Sequence, residues 1–112
     1  MLNRSIVIYT VRRQLELYEG NRLIYNYPIA VGKSATPTPH GRYTIATKTL
    51  YPGGVFGSRW LGLSIPYYGI HGNNNPASIG QAVSKGCIRM HNHDVETLFQ
   101  RVEIGTLVII QS

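Results

Sequence analysis

Glycine and proline interrupt this chain throughout. Twelve glycines and six prolines are spread along 112 residues, so there are few stretches in which a helix could lengthen beyond its costly first turn. Where the chain runs uninterrupted, it alternates instead. From Ser5 to Val11 the side chains of Ile6, Ile8 and Thr10 fall on one face, and Gln14 to Tyr18 repeats the pattern. A period of two marks half-buried strands, here an antiparallel pair. With 43% hydrophobic residues against 14% charged, and eight tyrosines, the composition argues against both disorder and a helical bundle. The expectation is one mostly β domain spanning residues 1–112, large enough for one core.

Glu19-Gly20-Asn21 is turn chemistry, and Arg22 to Val31 reads as a third strand completing a meander. Gly32 to Gly41 holds Thr36-Pro37-Thr38-Pro39-His40-Gly41, where two prolines cannot donate to a ladder, so it reads as a loop. Strands are expected at Arg42 to Lys48, Trp60 to Ile65 and Tyr68 to His71, with an irregular stretch around Pro52-Gly53-Gly54 and Gly57. Gly72 to Gly80, with three consecutive asparagines, reads as a loop too polar for the core. Asn92 is placed to cap one helix, whose Val95, Leu98, Phe99 and Val102 form a stripe while Asp94 and Glu96 lie near the positive end of its dipole. Gly105 ends the following turn, and Thr106 to Ile110 reads as a buried closing strand.

Several classes fall away at once. The longest aliphatic run, Leu107 to Ile110, is far below the roughly 20 residues of a membrane-spanning helix. No signal peptide is visible at the N-terminus. A net charge of +6 suits an anionic partner without choosing among nucleic acid, lipid and an acidic wall polymer. No nucleic-acid motif accompanies it, so nucleic acid is not expected as a partner.

Cys87 is the sole cysteine, so it is either an inert core thiol or a reactive one. Reactive side chains cluster around it: His71-Gly72, Ser84-Lys85-Gly86-Cys87-Ile88-Arg89, His91 and His93. A thiol is largely protonated at neutral pH and needs a base or cation beside it. His71, sixteen residues upstream at the end of an expected strand, is the natural base. Gly86 lets a substrate carbonyl approach the backbone, so the Gly86 and Cys87 amides could form an oxyanion hole. Arg89, two residues on, shares a face with Cys87 and could raise the local potential or hold a carboxylate.

Ile70-His71-Gly72, followed at this spacing by Ser84-Lys85-Gly86-Cys87-Ile88-Arg89-Met90, resembles the active-site signature of the L,D-transpeptidase catalytic domain, or YkuD domain. Tyr27 to Lys33, Thr36 to Gly41 and Gly105 to Ile110 are also similar to family patterns, so the resemblance covers essentially the whole chain. It implies a β-sandwich-like fold and an enzyme of bacterial peptidoglycan. In that family the cysteine attacks the bond before the terminal D-alanine of a tetrapeptide stem and forms a thioester. An amine then takes the acyl group, giving a cross-link between the third residues of two stems or an attachment. Carried over by position, Cys87 is the nucleophile and His71 the base. Gly72 orients His71 through its carbonyl, the Lys85-Gly86-Cys87 amides form the oxyanion hole, and Arg89 is the arginine of the motif. Ser84, Lys85, Trp60, Tyr68 and Asn73 are expected to bind substrate. The resemblance further implies carbapenems as inhibitors and a place outside the cytoplasm in the cell or spore wall. No cofactor or metal is expected, and the sequence leaves the oligomeric state open, with a monomer favoured. Many members have histidine where this chain has Lys85, and many carry a separate wall-binding module that is not seen here.

A second reading has a different basis. Cys87, His71, His91 and His93 have the donor softness of a zinc set, and the alternative is a non-catalytic or zinc-stabilised module binding an anionic wall polymer. Ser84 could act as a nucleophile only with its own base and oxyanion hole, so a structural hydroxyl fits it better. Tyr51, Trp60, Tyr67 and Tyr68 suit a core or a cleft wall.

Overall fold

The computed structural model describes residues 3–112. The alternating segments form β1 (Arg4–Tyr9), β2 (Gln14–Glu19) and β3 (Arg22–Gly32), an antiparallel meander as its periodicity predicts. After the Pro-rich loop come β4 (Gly41–Leu50), β5 (Arg59–Leu63) and β6 (Gly69–His71). Two short strands follow, β7 (Ala82–Ser84) and β8 (Ile88–Met90), then α1 (Asn92–Arg101) and β9 (Leu107–Gln111). The strand order is β2-β1-β9-β4-β5-β6-β8-β3-β7, and β2 also pairs with β3, so the sheet curls round into a barrel-like arrangement.

Two long strands make this curl possible. Residues 22–28 of β3 pair with β2, whereas Ile29 and Ala30 pair with β8. In the same way β4 offers Gly41 to Thr44 to β9 and Ile45 to Leu50 to β5. Each strand thus belongs to two walls that face one another. Ile6, Ile8, Leu15, Leu17, Val108 and Ile110 from one wall meet Leu61, Ile70, Ile88 and Met90 from the other, all buried, and Val95 and Leu98 of α1 join the same core. At about 25 cal/mol per Å² of apolar surface removed from water, this shared interior is the main force holding the walls together.

The mostly β architecture with one helix agrees with the sequence, and several details differ. Asn92 does not cap α1. His91 stands at the cap position and Asn92 is the first helical residue, its side chain engaged elsewhere. The strands expected over 60–65 and 68–71 stop at Leu63 and start at Gly69, because the chain turns tightly between them with Tyr67 at a φ of 73°. The closing strand is half-buried rather than buried throughout, since Leu107 and Ile109 lie on its outer face. Finally, the 72–80 loop is not wholly outside: Asn73 and Ser78 are buried. Their polar atoms are hydrogen-bonded to Met90, Asn75 and Asn92, which removes the penalty that polarity implied. β7, which sequence alternation did not reveal, is three residues long and, among the described residues, pairs only with β3.

Helix α1 packs on β5 and β6. Its C-terminal carbonyls at Phe99 and Val102 each accept a 2.7 Å bond from Lys48 Nζ on β4. An ammonium at the negative end of a helix is favourable, and this one anchors the helix to the wall.

Candidate active site

His71 ends β6, and its register neighbours are Trp60 on β5 and Arg89 on β8. The Trp60 ring stacks on the imidazole at 5.6 Å and 18°, and Phe56 meets it edge-on at 5.1 Å and 88°. The imidazole is therefore only 3% exposed. Its Nδ1 lies 2.5 Å from the Gly72 carbonyl oxygen. A carbonyl only accepts, so Nδ1 carries the proton and the lone pair of the neutral ring is on Nε2. Burial holds the imidazole down at about 4, reinforced by the Arg89 charge and opposed by the Gly72 bond. Neutral imidazole is the resting form.

Cys87 lies just before β8, half-buried, with Sγ 3.6 Å from the Tyr67 carbonyl. Burial pushes its thiol up, partly offset by the Gly69 backbone and the Arg89 charge. The sequence alone suggested a thiolate held ionised by its neighbours. Here the pair rests as thiol and neutral imidazole, because desolvation penalises both charged forms.

The loop carrying Cys87 is gripped from two sides. Ser84 Oγ donates to the Cys87 carbonyl at 2.7 Å and accepts the Gly86 N–H at 3.0 Å. Buried Thr38 accepts the Gly32 N–H at 2.9 Å and donates to the Gly86 carbonyl at 2.8 Å, while Thr36 Oγ1 and the Lys33 amide both bond the Ser84 carbonyl. Gly86 has a φ of +125°, and a Cβ there would meet the Tyr68 ring at 2.5 Å, so no other residue fits without displacement. One expectation is corrected. The Gly86 amide is spent on Ser84 and is not free for an oxyanion. The Lys85 and Cys87 amides have no acceptor among the described residues.

A cleft of about 310 Å³ is lined by Val55, Phe56, His71, Ser84, Lys85, Cys87 and Arg89. It brings together the base, thiol and arginine expected from the sequence. Between Glu19 and Asp94 the sequence has no carboxylate, and the ion pairs among the described residues, Arg4–Glu19 and Arg12–Glu16, leave Arg89 out. The cleft is therefore cationic without an internal counter-charge. A larger hollow, about 510 Å³, lies by Arg4, Arg101 and Ile104 at the other end of α1 and contains none of these groups.

Trp60, Tyr68 and Asn73, expected to bind substrate, are not among the residues lining this cleft and contact the groups around it. Trp60 supports the imidazole, Tyr68 backs Gly86, and Asn73 Nδ2 donates to the Met90 carbonyl at 2.7 Å. Ser84 and Lys85 do line the cleft. Val55 and Phe56 line it unforeseen, as do the supporting roles of Thr36, Thr38 and Asn92, because nothing local marks a threonine or asparagine that will bond a chain segment far away in sequence. The four-residue zinc set is not assembled. His91 and His93 begin α1 away from the cleft, and no group of three or more His, Cys, Asp or Glu among the described residues could hold a metal.

A family model described as YkuD, the L,D-transpeptidase catalytic domain, matches residues 3–110. The chain belongs to this family. It is 58% identical over 98 residues to YkuD of Bacillus licheniformis, which is named as an L,D-transpeptidase, covering 88% of this chain and 59% of that one. The chain thus spans less than two thirds of that relative's length. The fold is shared with an L,D-transpeptidase from Mycobacterium smegmatis, with a TM-score of 0.88 at 17% identity over 99% of this chain and 59% of that one. It is shared too with the catalytic domain of the Enterococcus faecium L,D-transpeptidase, with a TM-score of 0.83 at 23% identity over 99% and 98% of the two chains. Among the described residues no helix is long and apolar enough to cross a membrane.

Proposed function

We propose that this YkuD-family domain is a cysteine L,D-transpeptidase acting outside the cytoplasm on the stem peptides of peptidoglycan. The observation that carries the reading is a base and a nucleophile in one cleft, with the base in the required tautomer: Nδ1–H is engaged by Gly72, and Nε2 is left to take a proton from Cys87. The thiol attacks the carbonyl carbon before the terminal D-alanine of a tetrapeptide stem as Nε2 removes its proton. The oxyanion that forms is met by the Cys87 and Lys85 amides. Imidazolium returns the proton to the departing D-alanine nitrogen, the C–N bond breaks, and a thioester remains. An acceptor amine then attacks the thioester, giving a proton to His71, and the sulfur leaves to be reprotonated. Arg89 supplies positive charge for the thiolate or for the donor's carboxylate.

Raised thiol and lowered imidazole values favour transfer of the proton during attack over a preformed ion pair. A purified tetrapeptide muropeptide incubated with the protein tests the reading by mass spectrometry. The expected products are free D-alanine, a protein adduct on Cys87 and, with an acceptor stem, a cross-linked dimer. Carbapenem should form an adduct on the same residue. An intact muropeptide and an unmodified Cys87 would overturn the proposal.

A further inference from the structure

Beyond the cleft itself, we infer that Asn92 is a positioning residue for His71, acting through the peptide unit between Gly72 and Asn73; this rests on His71 being the base. A peptide unit is rigid and planar, so the Gly72 C=O and the Asn73 N–H turn together and point opposite ways. The C=O end accepts from His71 Nδ1. The N–H end donates to Asn92 Oδ1 at 3.1 Å. Whatever holds the second bond therefore aims the first.

The grip has two further points. Asn92 Oδ1 also accepts the Ser58 N–H at 3.1 Å, and Asn92 Nδ2 donates to the Asn73 carbonyl at 3.0 Å. One side-chain amide thus binds Asn73 at both its N–H and its C=O, as a neighbouring strand would, and ties it to the segment leading into β5. Space is made by two glycines, since a Cβ at Gly57 or at Gly72 would collide with Asn92 Oδ1. Asn92 is itself held, being the first residue of α1, whose far end is anchored by Lys48. A helix, a loop and β6 thereby converge on the orientation of one carbonyl. Without that carbonyl, a neutral imidazole is free to place its proton on Nε2, where it can no longer accept from the thiol.

Two readouts separate positioning from general support. In the folded protein, ¹⁵N NMR of His71 reports which nitrogen is protonated, and pH-dependent alkylation of Cys87 reports the base without any peptidoglycan substrate. Asn92→Ala is expected to mix the two His71 tautomers, speed amide exchange at Ser58 and Asn73, and slow Cys87 acylation by on the order of 10²-fold at unchanged KM. Asn92→Asp keeps the acceptor for both N–H groups and should retain the Nδ1–H tautomer. A pure Nδ1–H tautomer with wild-type acylation in Asn92→Ala would overturn the inference. If Asn92→Ala does not fold, native-state exchange in the unaltered protein decides: Ser58 and Asn73 amides exchanging as fast as an exposed loop would overturn it equally. His71→Ala serves as the control. Alkylation unaffected by His71→Ala removes His71 as the base, whereas alkylation slowed by His71→Ala and untouched by Asn92→Ala sinks the Asn92 role alone.

Discussion

The wall of β1, β2 and β9 and the wall of β5, β6 and β8 are held together differently. In the first, strands of five and six residues pair along continuous registers, and every second side chain is buried. In the second, β6 and β8 are three residues each, and the segments beside them are fastened by side chains that bond the backbone: Ser84, Thr38, Thr36, Asn73 and Asn92. The first wall resists disturbance through apolar burial, which is diffuse. The second depends on individual hydrogen bonds, each directional, that set where Cys87 and His71 stand. A fold can therefore keep its stability in one place and its precision in another.

The largest separation of the two should come from the reacting groups. Cys87→Ala is expected to abolish acyl-enzyme formation while thermal unfolding stays near wild type, because alanine keeps the Cβ and removes only one sulfur atom from a partly exposed position. Turnover in that variant would show that the site half does not work as described.

His71→Ala should lower acylation by roughly 10²–10⁴-fold, the usual contribution of a general acid–base group. It should also remove a pH dependence of stability. His71 titrates at about 4 in the fold against 6.5 ordinarily, so between those values the unfolded chain binds the extra proton. The stability linked to neutral His71 is thus complete above about 6.5 and is lost as pH falls towards 4. Denaturant titrations across that range should show the loss in wild type and not in His71→Ala.

Next in size is damage to the diffuse wall. Leu17→Ala, at a fully buried position on β2, should cost about 2–5 kcal/mol of unfolding free energy. The alkylation rate of Cys87 in the folded protein should scarcely change. A matching drop in both would mean the two walls are not separable.

The converse variant is Thr38→Val, which keeps the shape and leaves the Gly32 N–H and the Gly86 carbonyl unpaired. About 1–3 kcal/mol of stability should be lost. Acylation should nonetheless fall more than in Leu17→Ala, since the loop bearing Cys87 loses a tether. Equal acylation in the two variants would erase the contrast.

Legibility followed the same division. The meander, the helical stripe of Val95 and Leu98, and the place of Cys87, His71 and Arg89 in one cleft were readable, because alternation, helical period and motif spacing are properties of neighbouring residues. β7 and the N-cap of α1 were not, since β7 is too short to show an alternation of its own and the Asn92 side chain is diverted to a distant segment. Trp60, Tyr68 and Asn73 were drawn to the site by sequence position, and their contacts with His71, the Gly86 position and Met90 came only with the fold.

Residue order alone thus determined a mostly β chain with one helix and a thiol, an imidazole and a guanidinium at the spacing of the L,D-transpeptidase family's motif. Tertiary structure decided the rest: that Gly86 gives its amide to Ser84, that Thr38 reaches Gly86 across 48 residues, and that Asn92 grips Asn73. It also decided that the Cys87 and His71 pair rests uncharged. The reason is that local conformation depends on adjacent side chains, whereas desolvation and long-range hydrogen bonds exist only once distant segments have packed together.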